Sequence, residues 1–271
     1  MLIEFKSSES HILTWVIASS KQSGLEPTRL LYYDDVSLKE FRARVLAVQQ
    51  VGEEWRIVLD QTAFYPVGGG QPADKGRIKG LNGDAIVKDV RMEHGLVVHL
   101  ADETTGRMEQ GEEVLGILDW DRRYSLMRNH TLAHLMAEAI RRATGLTEEV
   151  VGSGLDVDKA RLDIAREGSL GPVIPDIEEI ANNVIKENRP VEIRIMPRRE
   201  AEERVARFHE SLKTLPSHVQ NVRVIEIRDW HACACGGTHV KSTGEIGAVE
   251  VLRRMSKGKG VERIEFRSKT P

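Results

Sequence analysis

DWDRRYSLMRNHTLAHLMAEAIRRATG, residues 119–145, is the stretch on which the reading of this chain turns. Leu126, His130, Ala133, His134, Ala137 and Ile140 recur at helical spacing, Arg141 and Arg142 suit the negative end of a helix dipole, and Gly145 supplies a stop. The segment predicts a long amphipathic helix. Upstream the period is different. Residues 45–48, 55–59, 85–90, 96–100 and 114–118 are short runs rich in valine, isoleucine and leucine, separated by Gly52, Gly76, Gly80, Gly83, Gly95 and Gly111. Such punctuation predicts a small β-barrel or sandwich over about residues 30–118. Downstream, strands at 161–164, 191–196, 222–227, 248–253 and 261–266 interleave with helices at 175–187 and 197–208, the pattern of an α+β domain. The boundary falls near Asp119, and residues 1–27, which show no clear period, form an extension without an assigned role.

A chain of 271 residues is long enough for two domains at about 150 residues each. With 40% hydrophobic and 30% charged residues it is not a disordered or low-complexity chain. No apolar run approaches the roughly 20 residues of a membrane span. The first ten residues carry Glu4 and Glu9 rather than a basic and then apolar signal. The expectation is a cytoplasmic protein with no membrane partner. The net charge of -3 provides no global attraction for nucleic acid, so such a partner needs a local patch. The best one is LRRMSKGKGVERIEF, residues 252–266, where Arg253, Arg254, Lys257, Lys259 and Arg263, with Arg267 just beyond, are candidates for phosphate contacts. A solvated hairpin with lysines on its tip is the plainer alternative.

His130 and His134 stand one helical turn apart on the same face, as two ligands of one metal must. In WHACACGGTHV, residues 230–240, Cys235 and His239 have the same four-residue separation in a segment that glycine lets fold inward. Each pair alone also fits buried, hydrogen-bonded side chains. Together, three imidazoles and one thiolate make a borderline donor set that suits zinc. Cys233 and Cys235, separated by one residue, are too close for an unstrained disulfide and read as metal or redox chemistry or as small hydrophobes. A zinc peptidase needs glutamate directly after the first histidine, and Thr131 stands there. A zinc finger needs its ligand pairs about a dozen residues apart, far closer than these. Gly68-Gly69-Gly70-Gln71 lacks the Lys-Ser/Thr of a phosphate-binding loop and reads as a turn between strands, with only a three-residue match to the Gly-Gly-Gln of release factors. Asp229, Glu245 and Glu250 are candidate carboxylates for orienting the histidine rings; Cys233 and His231 could replace a ligand or support one, with packing and a strand-end cap as their plainer readings.

TRLLYYDD, DQTAFYPVGGGQPADKG, MRNHTLAHLM, VGSGLDVDKARLDI, CGGTHV, TGEIG and SKGKGVERIEF, spread from residue 28 to 266, closely resemble blocks of the alanyl-tRNA synthetase editing domain and its free-standing AlaX-type relatives, in the same order. The resemblance implies the medium-length form. That is an α+β protein with a small N-terminal β-barrel domain over 28–118, carrying the glycine-rich loop, followed by an α+β editing domain over 119–271 with a long zinc-binding helix. It implies that His130, His134, Cys235 and His239 hold Zn2+ and serve catalysis. The substrate it implies is mischarged tRNA(Ala), chiefly carrying serine and also glycine, hydrolysed in trans. It further implies that Gly68, Gly69, Gly70 and Gln71 reach toward the aminoacyl group. Family members often carry threonine or glutamine 21 positions after the first histidine, where this chain has Val151, so Ser153 or Thr62 is expected to bond the serine hydroxyl instead, although Thr62 reads more readily as a buried strand residue. A nucleic-acid-binding module with a purely structural zinc is the competing reading.

Overall fold

The computed structural model describes residues 26–145 and 149–269. The extension expected over residues 1–27 lies, but for its last two residues, outside the described residues. The chain divides into two compact units, one running to Val67 and resuming over Ala73–Trp120, the other made of Gly68–Pro72 and the chain from Asp121 onward.

In the first unit, β1 (Arg29–Leu30) and β4 (Gln61–Thr62) form a short parallel pair. The remaining strands are β2 (Glu40–Val51), β3 (Glu54–Leu59), β5 (Gly76–Lys79), β6 (Gly83–Glu93), β7 (Leu96–Gly106) and β8 (Glu113–Leu118). They close into a barrel in the order β2-β3-β7-β6-β5-β8, which settles the choice between barrel and sandwich. Alternation along the strands drives closure: β2 turns Phe41, Ala43 and Val45 inward and β8 turns Val114 and Leu118 inward, while their sequence neighbours face out. With Phe64, Ile78, Val87 and Val97 these side chains make one buried core, each large one worth about 1.5–3 kcal/mol. The four residues of β5 carry a single buried side chain, Ile78, so no alternation announced this strand; its pairing with β6 and β8 defines it.

In the second unit the long helix α1 (Trp120–Thr144) is buried nearly all round, with Leu126, Met127, Leu132, Leu135, Met136, Ala139 and Ile140 all enclosed. The amphipathic expectation is corrected here: polar Arg123, Asn129, Thr131 and Glu138 are enclosed along with the apolar stripe, so no single hydrophobic face accounts for the helix's burial. Its buried Glu138 is neutralised by Arg141 and Arg142 one turn on. Around it lie two antiparallel sheets. One, ordered β14-β15-β10-β9, contains β9 (Glu149–Leu155), β10 (Ala160–Ala165), β14 (Ala248–Gly258) and β15 (Val261–Lys269). The other contains β11 (Val191–Pro197), β12 (Asn221–Ile227) and β13 (His231–Ala234). Helix α2 (Ile174–Lys186) packs on β14, and α3 (Arg198–Ala206) covers β12 and β13, burying Ala201 and Val205 against Val222, Val224 and Ala232. In this unit two strands escaped the sequence reading. β9 is a glycine-containing edge strand with mostly exposed side chains, and β13 is four residues of His-Ala-Cys-Ala held by its pairing with β12. Among the described residues no helix is long and apolar enough to cross a membrane.

Candidate metal centre

Helix α1 presents His130 and His134 with their rings stacked, centroids 5.1 Å apart at 20°. The chain leaving β13 brings Cys235 and His239 to the same place. Cys235 Sγ lies 3.5 Å from His130 Nε2 and 3.4 Å from His239 Nε2, and the four residues offer donor atoms that all lie within 4.8 Å of one another. The close approach depends on Gly237, because a Cβ there would overlap the His130 ring.

Hydrogen bonds set the tautomers. Gln71 is fully buried, and its Oε1 accepts the backbone N–H of Thr238 at 3.1 Å and the Nδ1–H of His130 at 2.8 Å, while its Nε2 donates to Thr238 Oγ1 at 2.9 Å. His130 therefore turns an unprotonated Nε2 toward Cys235. Thr131 does the same for His239. Its hydroxyl donates to Met127 O at 3.0 Å, so it accepts from His239 Nδ1–H at 3.2 Å and from Val240 N–H. His134 Nδ1 lies 3.2 Å from Cys233 Sγ, and its Nε2 is buried with no hydrogen-bond partner. A buried imidazole nitrogen without a partner is costly, and a cation is the natural occupant for its lone pair.

Burial, reinforced by the neighbouring imidazoles and by Arg223, holds His130 and His239 well below the ordinary histidine range. Burial first, then His231, brings His134 down to about 3. All three rings are neutral donors at pH 7. Burial pushes the Cys235 thiol up, against the Gly237 N–H and Arg223, so its thiolate form calls for a positive charge beside it. The donor set, the tautomers and the orphaned His134 nitrogen all fit a metal ion.

The group opens on a cavity of about 380 Å³ whose wall includes His130, His134, Cys235, Gly69, Ser153 and Glu210. Gly68 and Gln71 pair across a tight turn in which Gly69 and Gly70 adopt positive φ, 58° and 82°. Gly70 O accepts the N–H of Leu155, and a Cβ at Gly70 would stand 3.3 Å from Ser153 Oγ.

Several expectations are corrected. Gln71 faces His130 and Thr238 rather than the cavity, which removes the release-factor comparison and makes it a positioning residue. Of the two readings of Thr62 the buried strand residue holds: it is enclosed in β4, its hydroxyl bonded to His99 Nε2 at 2.8 Å and to Phe64 N–H, so it has no free group for a substrate. Glu245 closes a capping box and accepts from Tyr124, and Glu250 pairs with Arg267 and Lys269; neither orients an imidazole. Asp229, at a positive φ in the turn before β13, has no hydrogen bond to a ring. That work falls to Gln71, Thr131 and Cys233. Cys233 and buried His231 form a further close group with His134. Of the basic cluster, Arg253 pairs with Glu265, Arg254 with Glu262, Arg263 with Asp163 and Arg267 with Glu250, which leaves Lys257 and Lys259 at the hairpin tip without an ion pair among the described residues.

A family model described as the threonyl and alanyl tRNA synthetase second additional domain matches residues 222–265, and one described as tRNA synthetases class II (A) matches residues 10–122. Both descriptions name synthetase-associated domains, and Cys235 and His239 lie inside the first match. The alanine–tRNA ligase of Pyrococcus abyssi is 44% identical over 89% of this chain, and the chain spans 26% of that protein's length. The alanyl-tRNA editing proteins AlaX-M of Methanosarcina acetivorans and Methanosarcina barkeri are 37% and 36% identical over 88% of this chain, which covers 98% of each. The chain belongs to the AlaX-M family of alanyl-tRNA editing proteins.

Proposed function

We propose that this chain is a zinc-dependent deacylase acting in trans, hydrolysing the ester of tRNA(Ala) mischarged with serine, and also with glycine, in the cytoplasm. The observation that carries the reading is the convergence of His130, His134, Cys235 and His239 beside a cavity of about 380 Å³. A synthetase pocket shaped for alanine rejects glycine or serine by only about 1–3 kcal/mol, so a second, hydrolytic sieve is the remedy. In this reading residues 28–118 are the β-barrel domain with its glycine-rich loop and residues 119–271 the editing domain.

His130, His134, Cys235 and His239 would hold the zinc ion, which when bound supplies a Lewis acid for the ester carbonyl and lowers the pKa of water. The chain's own groups then act as follows. Gln71 and Thr131 keep the Nδ1 protons of His130 and His239 away from the centre. The wall around Gly69 and Ser153 receives the aminoacyl group, with Ser153 Oγ bonding the serine hydroxyl that alanine lacks. Water adds to the carbonyl carbon, the bond to the ribose oxygen breaks, and the products are the free amino acid and the tRNA. Lys257 and Lys259, with weaker contributions from Arg253 and Arg254, contact tRNA phosphates.

The test is deacylation of Ser-, Gly- and Ala-charged tRNA(Ala) by zinc-loaded and metal-free protein, alongside Cys235→Ala. Release of serine faster than alanine, lost on chelation and in Cys235→Ala, is the expected result. Chelation that unfolds the chain with no deacylase activity to lose would instead make the ion purely structural.

A further inference from the structure

Among the described residues, the cavity beside the four donors has a single acidic residue in its wall, Glu210. Glu210 follows α3, where His209 takes a positive φ of 62° and the Glu210 N–H bonds back to Val205 O. Its half-buried carboxylate lines the cavity together with His134, Cys233 and Cys235. No hydrogen bond or ion pair reaches that carboxylate from any described residue. Burial and the nearby Glu138 carboxylate both push its pKa up, with no cation acting in the other direction.

The buried glutamates of the same unit are treated differently. Glu138 is paired with Arg141 and Arg142, Glu226 with Arg204, Glu262 with Arg254 and Glu265 with Arg253. A carboxylate partly withdrawn from water and left without a counter-charge is destabilising, so its place on the cavity wall points to a cation that arrives with the substrate. Resting on the deacylase reading above, that substrate carries one. The ester of a free amino acid has an α-ammonium one carbon from the carbonyl under attack.

We propose that Glu210 is the docking point for the α-ammonium of the aminoacyl group. The site then accepts esters of free amino acids and refuses esters whose nitrogen is acylated, as in peptidyl-tRNA. An N-acyl nitrogen is a neutral amide. It brings no charge to the carboxylate and adds bulk where the ammonium would sit, which leaves Glu210 desolvated and unpaired. The ion pair also fixes the acyl group's orientation. With the ammonium held at Glu210 and the carbonyl at the metal group, the side chain of serine or glycine is the remaining substituent free to be inspected by the rest of the wall.

The experiment compares Ser-tRNA(Ala) with N-acetyl-Ser-tRNA(Ala) as substrates of the full-length, zinc-loaded protein. Binding of an amide-linked, non-hydrolysable seryl-adenosine and its N-acetyl counterpart is measured in parallel. The wild type should favour the free amine by about tenfold or more in kcat/KM and in affinity. Glu210→Gln should lose about tenfold on the free amine while staying within about twofold on the acetylated ester, and Glu210→Asp should recover part of the preference. Zinc content and melting temperature of Glu210→Gln should match the wild type. Equal losses on both esters, or no loss on either, overturn the assignment. A wild type that cleaves both esters alike sinks the Glu210 proposal alone, whereas one that releases serine from neither sinks the deacylase reading first.

Discussion

Gln71 spans from His130 to Thr238, the residue before His239, and this makes it the most informative side chain outside the four donors. Replacing it with alanine removes the acceptor for His130 Nδ1–H and should weaken metal binding by about 10–100-fold, read by competition with a chromophoric chelator. Unchanged affinity would show that His130 keeps its tautomer by other means. Gly237→Ala is the harsher change, because the new methyl overlaps the His130 ring; it should cost about 1–3 kcal/mol in a urea titration and lower the metal bound per chain. The four donors were legible because each pair is local, His130 with His134 and Cys235 with His239. Their orienting partners were not. Gln71 meets Thr238 across 167 residues and His130 across 59, and no short-range pattern reports such meetings. Thr131 was read only as the glutamate a peptidase lacks. Its one local signal is a hydroxyl inside a helix, where bonding back to the fourth preceding carbonyl fixes the proton that makes it an acceptor for His239.

At the level of elements, the hairpin of β14 and β15 shows how a basic run can be spent within the fold. The run from Arg253 to Arg267 was read as a phosphate-binding patch, yet the glutamates interleaved with it on β15 meet the arginines across the strands. Arg253 first, then Lys159, holds Glu265 down to about 2, and Asp163 and Glu262 are also lowered. A folded pKa below the ordinary value of 4.5 means that the stabilisation is complete above that pH and is lost as pH falls toward about 2. Urea midpoints should therefore decline through that window, and Glu265→Gln should lower the midpoint at pH 7 while flattening the acid decline. At the hairpin tip the lysines remain available. Lys257→Ala with Lys259→Ala should weaken tRNA binding uniformly across acceptor sequences and reduce the slope of log K against log salt by about 1–2. A salt dependence that is flat from the outset would remove tRNA from this surface.

For the whole molecule, the glycine-punctuated runs left barrel and sandwich open, and the resemblance implied the barrel that is found. What the runs alone do not choose is closure, which depends on β8 pairing with both β2 and β5, strands far from it in the chain. The change of hydrophobic period near residue 119 falls where the long helix begins. Metal removal should be felt globally: a chelator should lower the melting temperature of the wild type and leave that of Cys235→Ala unmoved. Ser153→Ala should narrow the ratio of serine to alanine release without changing metal content.

The five residues Gly68–Pro72 lie in sequence between two strands of the first unit but pack as part of the second. A truncated gene that begins at the long helix would thus still encode every donor, yet one imidazole in its product would be free to exchange its proton between nitrogens. Where the polypeptide can be severed without harm is not where its hydrophobic rhythm changes.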